Sequence, residues 1–574
     1  MGKKTILGLV VTTLLFAALL APRLVGIKKF TTGDEPAWLI FSHNFLHAID
    51  KGQFERTVYE YHPAVTTMWV ITAGILSYFP EYTRIQHGYI DKFWDLDEIY
   101  ANAGKALSTL LYRSRAISVL LTSAFLLLAF IFLWRLLGIA MALTAILLVS
   151  FDPFYLGQSR LLNHEGLACA LALAAFLVLL VYLYQGHKLP YLLVSAALCG
   201  LTLLAKSPMI LLIPLAGLMF AVSLIDNWRK PIDRRRAFWN AVAGFMGWLA
   251  VLALVYTAFW PGMWVAPGKM LYEIYGNAFS YAFQGSRLQV TGQVVVKPIG
   301  INLSDFSSLL VAILYKTTPI IWLGAALAIA SLFDRKHAAL TLLARRIVIY
   351  LALLALLFIL MFGIAQGRNS THYILMVFVC LDVMAGIGYV WCVKLLAVKF
   401  AWARRPVVQA GLLIGVILLQ GLSTVRDYPY YYTYTNPLAQ ALQAGTQDPA
   451  AGYGEGLELA AAYLAKKPGA AELIVSSHLG VGPFSYYFPG TSYPLMYQSQ
   501  EYLSDRSAGW FRQSDYLVIY DIQQRAMDLP VHLLDALEGV TPEHVINLNG
   551  LQYASIYKIS ELPERVFEAL LPPG

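Results

Sequence analysis

The sequence predicts a polytopic α-helical membrane protein with about eleven crossings and a small α/β domain at its C-terminal end. Three observations lead there. Of 574 residues, 58% are hydrophobic and 13% are charged, with a mean hydropathy of +0.60, whereas a soluble domain carries about 25% charged residues. Apolar runs long enough to cross a bilayer recur along the first three quarters of the chain. Beyond residue 425 they stop, and helix-like and strand-like patterns alternate instead. The boundary is therefore drawn between a membrane module, 1–425, and a tail domain, 426–574.

These runs fall near 5–25, 113–134, 164–184, 208–225, 237–260, 308–332, 344–364, 372–393 and 405–424, and two shorter ones, 137–151 and 190–205, complete tight hairpins. The first has the basic start and apolar body of a signal peptide and is read as an uncleaved anchor, with cleavage after Ala21 as the alternative. Segment 63–79 is ambiguous between crossing and lying at the interface. Parity favours the interface. With Met1 cytoplasmic and 63–79 not crossing, the clusters at Arg135, Lys188, Arg229 to Arg236, Arg335 with Lys336, Arg345 with Arg346 and Arg404 with Arg405 share the cytoplasmic side. The net charge of +8 is explained by these loops, so no nucleic-acid partner is expected. The first loop (26–112) and the tail then face outside, with the cell (inner) membrane as location.

Within the first loop, Trp38, Phe41, Phe45 and Ile49 recur at helical spacing and predict an interfacial helix. In the tail, GLELAAAYLAKK and VHLLDALEG read as helices and ELIVSS, DYLVIYD, HVINLN and YASIYKI as strands. The tail also holds GYGEG at 452–456, but neither a Walker motif nor a GxGxxG after a strand, so a nucleotide site is unsupported. All four cysteines lie in apolar runs, which predicts buried thiols and no disulfide framework.

Charged residues gather at the outer ends of the predicted spans: Asp34 and Glu35 in TTGDEPAW, His62, Arg115, Arg160, Glu165, Lys206, Lys316, Arg368 and His372. A carboxylate opposite several cations suits transfer from a phosphate-bearing lipid. The carboxylate takes a proton from an acceptor hydroxyl while the cations neutralise the departing phosphate. Structural roles compete at each position. Asp34 and Glu35 also make a helix start, Arg115 and Arg160 suit headgroup anchors, Lys206 and Lys316 suit snorkelling, and Glu165 has Arg160 as a pairing partner five residues earlier. His43 and His47 have the i, i+4 spacing of metal ligands without an HExxH, so no metal site is assigned.

TTGDEPAW, YHPAVTTMW, YRSRAISVLL, QSRLLNHEG, LLAKSP, LYKTTP and the HY pair at 372–373 occur in one order along the chain. In that order the sequence resembles the protein O-mannosyltransferase-like and lipid A aminoarabinose transferase-like enzymes, integral membrane glycosyltransferases of the GT-C superfamily. The tail, with YPYYYTYTNPL followed by GYGEGLELAAAYL, looks like that of bacterial carrier-dependent members. The resemblance implies a GT-C fold, a polyprenyl-phosphate-linked sugar as donor, inversion at the anomeric carbon, and an acceptor glycan, lipid or protein. It implies Asp34 as general base with Glu35 beside it and Glu165 as a pocket-shaping residue, while the residue pattern itself offers Arg115, Arg160, Lys206, Lys316, Arg368 and His372 as contacts to the donor phosphate and His62 as a residue shaping the mouth of the pocket. No cofactor is implied firmly, and a divalent metal stays open. The sequence departs from the family where an HPP or KPP block reads His62, Pro63, Ala64, and where a second acidic position, often Asp, is Glu165. A transporter or flippase of lipid-linked sugars is the alternative, and the lack of an evident repeat between the two halves speaks against it.

Overall fold

The computed structural model describes residues 3–60, 62–85, 87–228, 234–284, 300, 304–334, 340–366, 370–442, 452–495, 511–523 and 531–569. Arg229, Arg335, Lys336 and Arg368 therefore lie outside the described residues. Two compact units result. The larger comprises Met1–Val25, Asn44–Gln86 and Ser114–Ala450, and the smaller Gly26–His43, His87–Arg113 and Ala451–Gly574.

The larger unit is built from apolar helices. Among the described residues seven are long and apolar enough to cross a membrane, or up to nine if each of two bent pairs counts as one span. The helices are α1 (Lys3–Leu24), α2 (Glu35–Asp50, whose first turns belong to the smaller unit), α3 (Val65–Tyr78), α4 (Phe93–Asn102, in the smaller unit), α5 (Leu107–Leu137), α6 (Ile139–Ser150), α7 (Pro153–Ser159), α8 (Glu165–Tyr184), α9 (Leu189–Ala205), α10 (Leu212–Trp228) and α11 (Arg234–Ala258). They continue with α12 (Ser304–Lys316), α13 (Pro319–Phe333), α14 (Leu342–Gly363), α15 (Leu375–Lys399) and α16 (Pro406–Val425). These positions match the hydrophobic runs, with two differences in kind.

The run 308–332, expected as one helix, is two. α12 and α13 meet at a 109° bend. Pro319 opens α13 and Thr318 caps it, its hydroxyl accepting the Ile321 N–H at 3.2 Å, because a residue before proline is driven out of helical conformation. The run 137–151 likewise continues past a 67° bend into α7, where Asp152 caps the Tyr155 N–H at 2.7 Å and Pro153 takes the first helical position. Helix α3 has 14 residues. At 1.5 Å per residue it spans about 21 Å, short of the roughly 30 Å of a hydrocarbon core.

Helices α8 and α15 form the interior, with 100% and 94% of their spans buried, as expected for helices apolar on every side. Small residues let the backbones close up. A Cβ built on Gly388 would strike the Gly324 carbonyl of α13, and one on Gly386 would strike Ala145 of α6. Such close approach is the usual basis of helix association in lipid.

The smaller unit contains α17 (Leu457–Leu464), β1 (Ile474–Ser477), β2 (Thr491–Pro494), β3 (Tyr516–Ile519), α18 (Val531–Leu537), β4 (His544–Leu548) and β5 (Leu551–Lys558). The sheet order is β2-β1-β3-β5-β4. β1 pairs in parallel with β2 and β3, and β5 runs antiparallel to β3 and β4. One face of the sheet packs Val475, Val518 and Ile556 against Leu457, Ala461 and Leu464 of α17. The other packs Leu517, Ile519 and Tyr557 against Leu533 and Leu537 of α18. Burial on both faces explains why β3 reads YLVI without alternation. The expected strands are all present. β2 was not foreseen, because TSYP ends in a proline, tolerated there at the sheet edge.

Candidate active site

In the smaller unit the TTGDEP segment is a helix start held from two sides. Asp34 is the N-terminal cap of α2, its carbonyl accepting the Trp38 N–H at 3.2 Å. Pro36 in the first turn lacks an N–H that the helix would leave unbonded in any case. Glu35 is fully buried. Its Oε2 accepts the Thr32 N–H at 2.8 Å and the Thr32 hydroxyl at 3.1 Å, so this carboxylate fastens the turn that precedes the helix. Asp34 is exposed. The adjacent acids thus have opposite environments, one turned inward as a clasp and one presented at the surface.

The GYGEG segment packs on this turn. The Tyr453 hydroxyl donates to Oδ2 of Asp34, and the Gly33 N–H donates to the Tyr453 carbonyl at 3.3 Å. Gly454 adopts φ +119°, and a Cβ built there would lie 2.6 Å from the Thr31 carbonyl oxygen. Only glycine permits both that backbone and that approach. Beneath the loop, buried Glu455 accepts the Tyr453 N–H at 2.6 Å and the Tyr520 hydroxyl at 3.1 Å, and Tyr520 accepts the Gly454 N–H at 2.9 Å. Burial, reinforced by the neighbouring Glu455, pushes the Tyr520 phenol well above its usual range and keeps it a donor. The Thr31 hydroxyl meets that of Tyr487 at 3.0 Å. Further along α2, His43 sits between the Leu39 carbonyl at 2.7 Å and the Tyr100 hydroxyl at 2.9 Å, and burial lowers its pKa to about 3. His43 is thus a neutral core residue.

In the larger unit a second charged cluster is almost wholly buried. The Lys206 ammonium pairs with Oε2 of Glu165, donates to the Tyr373 carbonyl at 3.1 Å, and lies 5.2 Å from the Tyr373 ring centroid. Nε2 of His164 lies 3.3 Å from Oε1 of Glu165. The His62 ring is 4.8 Å from that of His164 and its Nδ1 is 2.9 Å from the Ser207 hydroxyl. Half-buried His372 stacks near Tyr373, centroids 4.4 Å apart. Local sequence builds each position. Asn163 caps the Glu165 N–H at 3.0 Å, and Gly166 admits Ser159, whose Cα would lie 2.5 Å from a Cβ. Pro208 ends α9 so that Lys206 stands at its terminus. After His62, Ala64 takes a left-handed φ of +48°, a strained conformation for a residue with a Cβ.

His62, Glu165, Lys206 and His372 are therefore brought together, with His164 and Tyr373 among them. Arg160 and Lys316 have other partners. Arg160 donates to the carbonyls of Val25 at 2.7 Å and Pro429 at 3.2 Å and lies over the Tyr431 ring. Lys316 is buried and donates to the carbonyls of Tyr432 at 3.0 Å and Tyr434 at 3.2 Å. Both cations hold the YPYYYTYTNP segment, which Asn436 also ties to the Leu314 and Thr317 carbonyls. Arg115 is buried within α5. Glu165, for which Arg160 was the expected partner, engages Lys206 and His164. Tyr453 and Tyr373 lie within the GYGEG and HY motifs, yet sequence reasoning gave neither a role. The signal for Tyr453 was its place between two glycines.

No family model matches the sequence, and no characterised protein matches it. Among solved structures the chain is similar to ArnT from Cupriavidus metallidurans bound to undecaprenyl phosphate, at 13% identity, over 99% of each chain, with a TM-score of 0.49. It is also similar to the archaeal oligosaccharyltransferase AglB from Archaeoglobus fulgidus in complex with an inhibitory peptide and a dolichol-phosphate, at 12% identity over 88% of this chain and 69% of that one, with a TM-score of 0.41.

Proposed function

We propose that the protein is a multi-pass membrane glycosyltransferase of the GT-C type. It moves a sugar from a polyprenyl-phosphate carrier to an acceptor hydroxyl on the extracytoplasmic face of the cell membrane, with inversion. The observation that carries this reading is the contrast within the acidic pair. Glu35 is buried on Thr32, whereas Asp34, one residue away at a fixed helix start, presents its carboxylate at the surface. A general base needs that combination of rigid backbone and accessible oxygen.

Asp34 takes the proton of the acceptor hydroxyl as its oxygen attacks the anomeric carbon. The bond from that carbon to the phosphate oxygen breaks, and the electron pair leaves with the polyprenyl phosphate. Charge growing on the phosphate calls for cations and N–H donors. For this role the reading assigns Lys206 with His62, His164 and His372, and assigns Glu165 to orient the lysine. Arg160 and Lys316 support the 428–436 segment by their carbonyl contacts.

Purified protein incubated with a panel of polyprenyl-phosphate sugars and candidate acceptors, without any ion gradient, is expected to yield glycosylated product by mass spectrometry. Asp34→Asn should lower turnover by about 10²–10⁴ while folding and carrier binding persist. Full activity in Asp34→Asn would remove the base from this reading, and transport without product would favour a flippase.

A further inference from the structure

We propose that Tyr453, in the glycine-rich loop of the tail, is a positioning residue for the carboxylate of Asp34. This inference rests on the reading of Asp34 as the general base. The geometry is local. The Tyr453 hydroxyl donates to Oδ2 of Asp34, and its carbonyl accepts the Gly33 N–H, so one residue grips both the side chain and the turn that carries it. The loop is shaped for that grip. Gly452, Gly454 and Gly456 all have positive φ, and the path between them is fixed from below by Glu455 and Tyr520.

A donor to one carboxylate oxygen stops rotation of the group, leaving Oδ1 as the atom that meets the acceptor proton. Of the neighbouring acids and phenols, Glu35 accepts from Thr32, Glu455 accepts from the Tyr453 N–H and Tyr520, and Tyr487 meets Thr31 and donates to the Lys28 carbonyl. The GYGEG motif, which carries no nucleotide-binding context, thereby acquires a use.

The test needs no substrate. A carboxyl oxygen must be free to attack a water-soluble carbodiimide, so the rate at which Asp34 is labelled in the full-length protein, followed by peptide mass spectrometry, reports how firmly the Tyr453 hydroxyl holds that carboxyl. Tyr453→Phe should label about tenfold faster at a fixed pH, the factor for a lost contact of about 1.4 kcal/mol. Replacing Tyr453 by 3,5-difluorotyrosine, a stronger donor of nearly the same shape, should label more slowly than wild type. Buried Glu35 is the internal control and should stay unlabelled in all three proteins. If Glu35 is labelled in Tyr453→Phe, the loop has opened and the difluorotyrosine protein decides, slower labelling supporting the proposal and unchanged labelling overturning it. Identical profiles in all three proteins would overturn it while leaving Asp34 as base. Conversely, a fully active Asp34→Asn would remove the base and leave the measured coupling intact.

Discussion

Glu165 carries a carboxylate into the buried end of a membrane helix, where an isolated charge is expensive. Lys206, itself buried, answers it. Removing one member therefore differs from removing both. Lys206→Met should destabilise the protein by about 3–5 kcal/mol because Glu165 loses its buried ammonium partner, whereas Lys206→Met with Glu165→Gln should recover most of that loss. Thermal unfolding in detergent, compared across the cycle, measures the difference. The same comparison made on carrier binding separates the two roles, since the stable double variant lacks the charge assigned to the phosphate. That Glu165 and Lys206 matter was legible in the sequence because charged residues are rare in apolar runs. Their pairing was not, because the partner lies 41 residues away on another helix, whereas Arg160 was near in sequence.

Among elements, the glycine-rich loop and the turn before α2 form the most constrained pair. Gly454→Ala must either force a side chain into a backbone conformation that disfavours it or push the loop off the Thr31 carbonyl. A loss of about 1–3 kcal/mol is expected. Because the displaced loop carries Tyr453, carbodiimide labelling of Asp34 should change together with the melting temperature. A change in melting alone would show that Tyr453 keeps its place through other contacts. Element positions in the membrane region were readable from hydropathy, since a span needs only length and apolarity to declare itself. The bend at Thr318 was not, because Lys316 and Pro319 are too few to interrupt a 25-residue hydrophobic average. β2 escaped for a related reason: TSYP has neither the alternation nor the β-branched density of its neighbours, and its strand character comes from pairing with β1.

At the scale of the whole molecule, the charge distribution predicts sidedness. With Met1 cytoplasmic, Arg404 lies inside and the tail outside. Lys558→Cys, exposed on β5, should react with a membrane-impermeant maleimide in intact cells, whereas Arg404→Cys, also exposed, should react only after permeabilisation. Reversed labelling would invert the topology and, with it, the face on which Asp34 works.

The contact between Asp34 and Tyr453 joins residues 419 positions apart. During synthesis the acidic motif leaves the ribosome among the first segments and its tyrosine among the last. For most of that interval the helix start exists without the loop that orients its carboxylate. A chain interrupted before residue 452 would then carry the helix start with the Asp34 carboxylate unheld. On the reading of Asp34 as the base, synthesis of the glycine-rich loop would itself be the step that completes the catalytic carboxylate.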